Sequence, residues 1–363
     1  MVSFFSKLDE QYQNKLPFVA YKKPNDASVH TLFQKDDTVN YVTDFSESGF
    51  VFAPFDTTEQ PILISFDHSF TTDYKCEKDL LSSVDIAFDV SAKTQHEALV
   101  SKAISEIEQT DLKKVVLSRV EQVEVTPISP IEVFEKALAE YPNAFVYLWY
   151  HPAVGCWLGA TPEVLLQTRN NKFKTMALAG TQVFSENNTW GEKEQEEQQI
   201  VTNYIVDNLI SEHITPEIGE PHTVKAGELA HIKTDITGRF NKSQLQQIIA
   251  VLHPTPAVCG MPKKEATQFI KQHEPYNRAF YTGFLGELNK TSQRRNNRRN
   301  TENTAYRLQS STSDLYVNLR CMELNHSKAN IYVGGGITAS SDPEKEFIET
   351  YNKTKTMKKL IIS

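Results

Sequence analysis

Strand-like and helix-like segments alternate along this 363-residue chain without the even spacing that parallel strand–helix–strand units require, and no segment repeats. That irregular order predicts an α+β fold, most simply one large domain. Residues 1–95 hold short alternating runs such as Gly49 to Ala53 and Ile62 to Phe66, broken by Asp, Ser, Thr and Pro, and read as a strand-rich part of that domain. From residue 96 the pattern changes. His96 to Gln109 is an amphipathic helix with Ala98, Leu99, Ala103, Ile104 and Ile107 on one face. Strand signals follow at Lys114–Val120, Phe145–Trp149 and Val164–Gln167, then helices at Lys193–Ile210 and Ser243–Leu252. Leu315–Leu324 and Asn330–Val333 read as strands and Glu344–Leu360 as a helix.

Two of these helices put acids where apolar residues belong. At 100° per residue, Glu194, Glu197, Val201, Tyr204, Ile205 and Asn208 share one stripe. The last helix repeats the arrangement with Glu346, Glu349, Lys353, Met357 and Leu360. Each acid pair is spaced i,i+3, so both side chains of a pair can reach one ligand. An unpartnered buried carboxylate costs several kcal/mol, and clustered carboxylates raise one another's pKa. A hard divalent cation held by oxygen ligands relieves both penalties, and Mg²⁺ suits a site whose shell a charged substrate completes. Acids in solvated first turns, where the helix dipole favours them, are the competing explanation. Ahead of the last helix, Gly334, Gly335 and Gly336 follow a strand, and Ser341-Asp342-Pro343-Glu344 supplies a cap, a first-turn Pro and a capping-box acid. Glycine amides feeding that helix are expected to cradle a carboxylate or phosphate; the spacing is not that of a dinucleotide site.

A net charge of −8 argues against a nucleic-acid scaffold and means that an anionic ligand would need local positive potential. The one basic patch, Arg294, Arg295, Arg298 and Arg299, lies in a polar stretch from Asn289 to Ser313 that reads as a long hairpin loop. No apolar run is long enough to span a bilayer, and the first residues lack the features of a secretory signal, so a cytoplasmic protein with no membrane partner is expected. Cys76, Cys156, Cys259 and Cys321 are scattered and read as free buried thiols.

Eight segments, in order, resemble the chorismate-utilising enzymes, the family of isochorismate, salicylate, anthranilate and aminodeoxychorismate synthases. They are KVVLSR (Lys114–Arg119), LGATPEVLL (Leu158–Leu166), ALAGT (Ala177–Thr181), KEQEEQ (Lys193–Gln198), LAHIKT (Leu229–Thr234), LHPTPAVCGMP (Leu252–Pro262), YVNLRCMEL (Tyr316–Leu324) and VGGGITASSDPEKEFIETYNK (Val333–Lys353). The resemblance covers residues 96–363, which would be the chorismate-binding core. It implies one α+β domain with two large β-sheets flanked by helices, and Mg²⁺ beside the substrate carboxylates. By motif position Glu197 and Glu349 would hold the metal, supported by Glu194 and Glu346. Arg320 would grip a substrate carboxylate in bidentate fashion. Ala179, Gly180, Thr181, His253, Thr255, Tyr281, Gly334, Gly335, Gly336 and Lys353 would complete the substrate site. The chain departs from the family at Gln198, where His is frequent, and at Glu287, where Trp is common.

The branches of the family differ in nucleophile. Members that add water resemble this chain in carrying Lys at the head of KVVLSR, where ammonia users carry Gln. Lys114 is thus the expected general base and Glu163 of TPE the general acid. Ala179 stands where aminodeoxychorismate synthases have an attacking Lys. Ala257 stands where salicylate synthases tend to have Thr. These residues imply isochorismate formation, with salicylate synthesis as the alternative, no glutaminase subunit and no nucleic-acid partner; a monomer is expected.

Overall fold

The computed structural model describes residues 4–74, 88–125, 128–186, 188–226, 229–293 and 309–362. The Arg-rich patch and Cys76 lie outside the described residues. Two antiparallel sheets form the body of the protein. The first runs, in spatial order, β14 (Gly260–Met261), β6 (Lys114–Glu124), β18 (Lys328–Ile337), β17 (Cys321–Asn325), β8 (Gly155–Thr161), β7 (Phe145–His151), β1 (Phe18–Lys22), β2 (Ser28–Phe33) and β5 (Ser69–Asp73). The second runs β11 (Pro216–Ile218), β13 (Leu229–Arg239), β10 (Lys172–Val183), β9 (Val164–Arg169), β16 (Gln309–Val317), β15 (Phe284–Gln293), β3 (Gly49–Ala53) and β4 (Ile62–Ser65), with β12 (His222–Ala226) also paired to β13. Among the described residues seven helices cover the outer faces: α1 (Phe4–Gln13), α2 (Val90–Gln109), α3 (Pro130–Glu140), α4 (Glu192–Ser211), α5 (Leu245–Leu252), α6 (Lys263–His273) and α7 (Pro343–Ile361). None of them is long and apolar enough to cross a membrane. The strand-rich first segment is divided between the sheets, β1, β2 and β5 going to one and β3 and β4 to the other.

The sheets pack face to face across an aromatic layer that includes Trp149, Trp157, Phe50, Phe52, Tyr147 and Phe280. Phe52 stacks on Phe280 with ring centroids 4.1 Å apart, and Phe145 on Tyr316 at 4.2 Å. Helices α4 and α5 cover the second sheet, while α3 and α7 cover the first. Central strands are therefore buried on both faces: all five residues of β1 and all but one of the seven in β8 are buried. Such strands lose the apolar–polar alternation that marks a half-exposed sheet.

Three expectations need correction. Leu315–Leu324 is not one strand. β16 ends at Val317 in the second sheet, β17 begins at Cys321 in the first, and the chain crosses between sheets through Asn318, Leu319 and Arg320. The apolar alternation continues over the crossover because both strands face the same aromatic layer. Gly334, Gly335 and Gly336 do not form a loop before the last helix; they belong to β18 and lie opposite Ser118, Leu117 and Val116 of β6. The polar hairpin is also shorter than expected, since β15 and β16 stay paired out to Gln293 and Gln309. Elsewhere α2 starts six residues early at Val90, capped by Asp89. Cys156, Cys259 and Cys321 are buried free thiols, as expected.

Candidate active site

The first turns of α4 and α7 meet the start of β6 and the glycines of β18. Helix α4 buries Val201 and Ile205 and leaves Glu194 and Glu197 half-exposed further along the same stripe. Helix α7 buries Met357 and Leu360 in the same way, with Glu346 half-buried and Glu349 exposed. Its N-terminus is fixed by Asp342, whose carboxylate accepts from the amide of Lys345 at 3.0 Å, and by Pro343 in the first turn.

Lys114 heads β6 and its ammonium donates to Glu197 at 3.0 Å. Lys353 donates to Glu349 at 2.6 Å and to the carbonyl of Gly334 at 2.8 Å, which ties α7 to β18. Each β18 glycine clears space for a different neighbour. A Cβ on Gly336 would lie 2.9 Å from Cε of Lys114, on Gly335 3.2 Å from a Glu346 carboxylate oxygen, and on Gly334 3.0 Å from the Tyr281 hydroxyl. The run of glycines is thus a demand for close approach within a paired strand. Behind β6, the buried Glu274–Arg278 pair holds the backbone: Glu274 accepts from the amide of Ser118 at 2.7 Å, and Arg278 donates to the carbonyl of Val116 at 2.6 Å. Sequence reading did not single out that pair, although its i,i+4 spacing in HEPYNR was available.

Arg320 sits at the sheet crossover with φ at 47°, a left-handed conformation that is uncommon for a non-glycine residue. The crossover is over-determined by Asn318, which donates to the Phe280 carbonyl at 2.8 Å and accepts from Tyr147 at 2.7 Å. Burial pulls the Arg320 guanidinium below its ordinary pKa, while Tyr281, Glu349 and Tyr141 oppose that shift. Lys353 is lowered too, by burial and by Arg320, against the pull of Glu349. A buried guanidinium held this way gains from an anionic ligand, which would restore the stabilisation that burial removes.

His231 belongs to this cluster and was not predicted. Its Nδ1 contacts the Gly180 carbonyl at 3.0 Å; burial depresses its pKa, and Lys353 and Arg320 depress it further. Only its place in LAHIKT signalled it. Gly180, at φ 69°, forms a bulge in β10 beside buried Ala179, and a Cβ there would come 3.3 Å from Glu194. Of Thr181 only the backbone is described, paired with His231. Gln198, where the family often has His, is buried and donates to Thr234 and Thr202.

Glu163 has its pKa raised to about 7 by burial, against the opposing charge of Lys114. It shares a small cavity with Thr255 and Ala257. His253 is not brought to this cluster by any of its contacts: its Nε2 meets the Pro54 carbonyl at 3.0 Å, its ring packs on Phe284, and burial lowers its pKa to about 3.

The four glutamates would supply hard oxygen donors of the kind that suit Mg²⁺. Glu346 bears the mark of crowding. Burial and neighbouring Glu349 push its pKa up, and a 2.7 Å bond from Ser341 offsets only part of this. In the structure Glu197 and Glu349 are neutralised by lysines instead, and among the described residues no three acidic, His or Cys side chains converge closely enough to hold an ion.

Two family models described as chorismate binding enzyme match the chain, one over residues 63–294 and the other over 305–359, so the chain belongs to the chorismate-binding enzymes. It is 28% identical over 280 residues to isochorismate synthase MenF of Escherichia coli (strain K12), a match that covers 74% of this chain and 60% of that relative. The salicylate biosynthesis isochorismate synthase of Pseudomonas aeruginosa is 29% identical over 287 residues, covering 75% of this chain but only 56% of that protein. The match thus spans less than two thirds of the length of these relatives. The solved structure of MenF, the menaquinone-specific isochorismate synthase from Escherichia coli, superposes with a TM-score of 0.74 at 21% identity over 95% of this chain and 88% of that one. Anthranilate synthase component I from Streptococcus pneumoniae gives 0.66 at 19% identity, over 94% and 89%. These two likenesses establish the shared two-sheet α+β fold.

Proposed function

We propose that this chain is a Mg²⁺-dependent isochorismate synthase, which adds water at C2 of chorismate and releases the C4 hydroxyl. The observation that carries the reading is the opposed pair of Lys114 and Glu163. A carboxyl whose pKa lies near 7 keeps a proton to give at neutral pH, and the charge of Lys114, at the head of β6, acts on it. In this reading Lys114 takes the proton of the attacking water and Glu163 protonates the departing hydroxyl. Arg320 grips one substrate carboxylate through its planar fork, and Lys353, with the glycine-lined face of β18, seats the rest of the molecule. Magnesium, held by Glu197 and Glu349 with Glu194 and Glu346 in support, would neutralise substrate carboxylate charge. The names of the sequence relatives and the replacement of the salicylate-type Thr by Ala257 favour stopping at isochorismate. NMR of chorismate incubated with the protein and Mg²⁺ tests this: isochorismate should accumulate, with turnover lost in EDTA and restored by Mg²⁺. Stoichiometric release of pyruvate would make the protein a salicylate synthase instead, and full turnover in chelator would remove the metal.

A further inference from the structure

Between the second sheet and helices α4 and α5 lies a cavity with room for about one water molecule. Its wall includes apolar Met176, Val201 and Leu252 and three residues that carry polar side chains, Glu163, Thr175 and Thr255. The Thr255 hydroxyl is buried and has no hydrogen-bond partner among the described residues. The Thr175 hydroxyl donates to the Leu165 carbonyl at 2.7 Å, which commits its proton and leaves its lone pairs free. Glu163 is fixed through its backbone alone, its amide donating to Thr161 at 3.3 Å and its carbonyl accepting from the Val317 amide at 2.9 Å. Among the described residues the carboxyl itself has no hydrogen-bond donor.

A buried acid can lose a proton only if its carboxylate is stabilised, and an apolar wall does nothing for that. We propose that Thr255 is a positioning residue for Glu163, holding its carboxylate through a water in this cavity. The inference rests on the reading of Glu163 as general acid. The three groups complete one water: it accepts from the Thr255 hydroxyl, donates to the ionised Glu163 and donates to the Thr175 oxygen. Three bonds are the usual complement of a buried water. Helix α4 contributes Val201 and Ile205 to the wall, and α5 with the following loop contributes Leu252 and Ala257, so no titratable group comes from those elements. The charge acting on Glu163 is that of Lys114, from β6. Thr255 thereby acts on proton delivery and not on substrate contact, the role that motif position had given it.

The test compares Thr255→Val, which keeps the shape and removes the hydroxyl, with Thr255→Ser, which keeps the hydroxyl, both assayed on chorismate with saturating Mg²⁺. Thr255→Val should lower kcat about tenfold, the worth of one hydrogen bond to a charged group. KM should stay within about twofold, and the limb of the kcat/KM profile that reports Glu163 should move to higher pH, because an unsolvated carboxylate holds its proton more tightly. Thr255→Ser should recover most of the rate and return the limb. A raised KM with an unmoved limb would overturn the proposal and place Thr255 on the substrate; unchanged kcat and limb in Thr255→Val would also overturn it. In a Glu163→Gln background, Thr255→Val should add nothing. Full activity of Glu163→Gln alone would instead sink the general-acid reading, whatever Thr255 does.

Discussion

Glu287 is fully buried and Glu163 partly buried beside the second sheet, yet their surroundings drive them in opposite directions. Glu287, in β15, is fully buried and accepts from Tyr21 at 2.6 Å, from Lys290 at 2.6 Å and from Lys23. Burial alone would raise its pKa; the two ammonium groups outweigh that and bring it down to about 2. Lys23 also reaches Asp314 at 2.7 Å, and Arg169 reaches the same acid at 2.8 Å, so a charged network ties β1 of the first sheet to β15 and β16 of the second. Among the described residues Glu163 has no such donors, and it is raised to about 7. The difference shows that burial does not decide the state of an acid here; the supply of donors does. One glutamate is held charged as a fastener between sheets; the other holds its proton up to near-neutral pH.

Four experiments would sharpen or break that contrast. Glu163→Gln should cost on the order of 10²–10⁴-fold in kcat, the usual size of a general acid–base contribution, while leaving thermal unfolding near that of the parent. The sign of its pH effect follows from its raised pKa. A protonated Glu163 favours the fold below the ordinary carboxyl range, that contribution is lost as pH rises through about 7, and activity falls over the same window. Glu287→Ala should do the reverse, losing roughly 1–3 kcal/mol of stability in denaturant titration because it leaves the buried Tyr21 hydroxyl without its acceptor, with kcat per folded molecule unchanged. Its lowered pKa places the pH effect on the other side: Glu287 stabilises above the ordinary carboxyl range and the benefit disappears as pH falls towards about 2. Arg320→Lys keeps the charge but loses the planar fork, so KM should rise about tenfold with kcat less affected; an unchanged KM would take Arg320 out of the site. The smallest effect, that of Lys113→Gln, is read against its neighbour. Lys114→Gln should be nearly dead, whereas Lys113→Gln, exposed and on the opposite side of the strand start, should be close to silent. A silent Lys114→Gln would remove the base that the contrast assumes.

The acid stripes of α4 and α7 could be read from sequence because a helix repeats its face every few residues, and Val201, Ile205, Met357 and Leu360 report that face reliably. Other parts of the site could not be read that way. The turn at Asn318 to Arg320 was hidden because apolar alternation continues through it, and only three-dimensional context reveals that β16 and β17 belong to different sheets. Gly334 to Gly336 carry no strand propensity, so a ladder opposite β6 was not expected; close approach by Lys114, Glu346 and Tyr281 overrides propensity there. His231 gave no signal beyond its place in LAHIKT, since what sets it apart is its position beside Gly180, Lys353 and Arg320.

The ladder between β6 and β18 sets Val115 opposite Ile337, so two strands from nearly opposite ends of the catalytic core form one edge of the site. A pairing of that span closes a very large loop before any contact repays it, and such topologies reach the native state slowly. The local elements, α4 and the β7–β8 hairpin among them, can take shape while Lys114 and the glycines are still far apart. Recovery of turnover after dilution from denaturant should therefore trail recovery of helical signal, and the interval between them measures how long the protein takes to bring the two ends of its active site together.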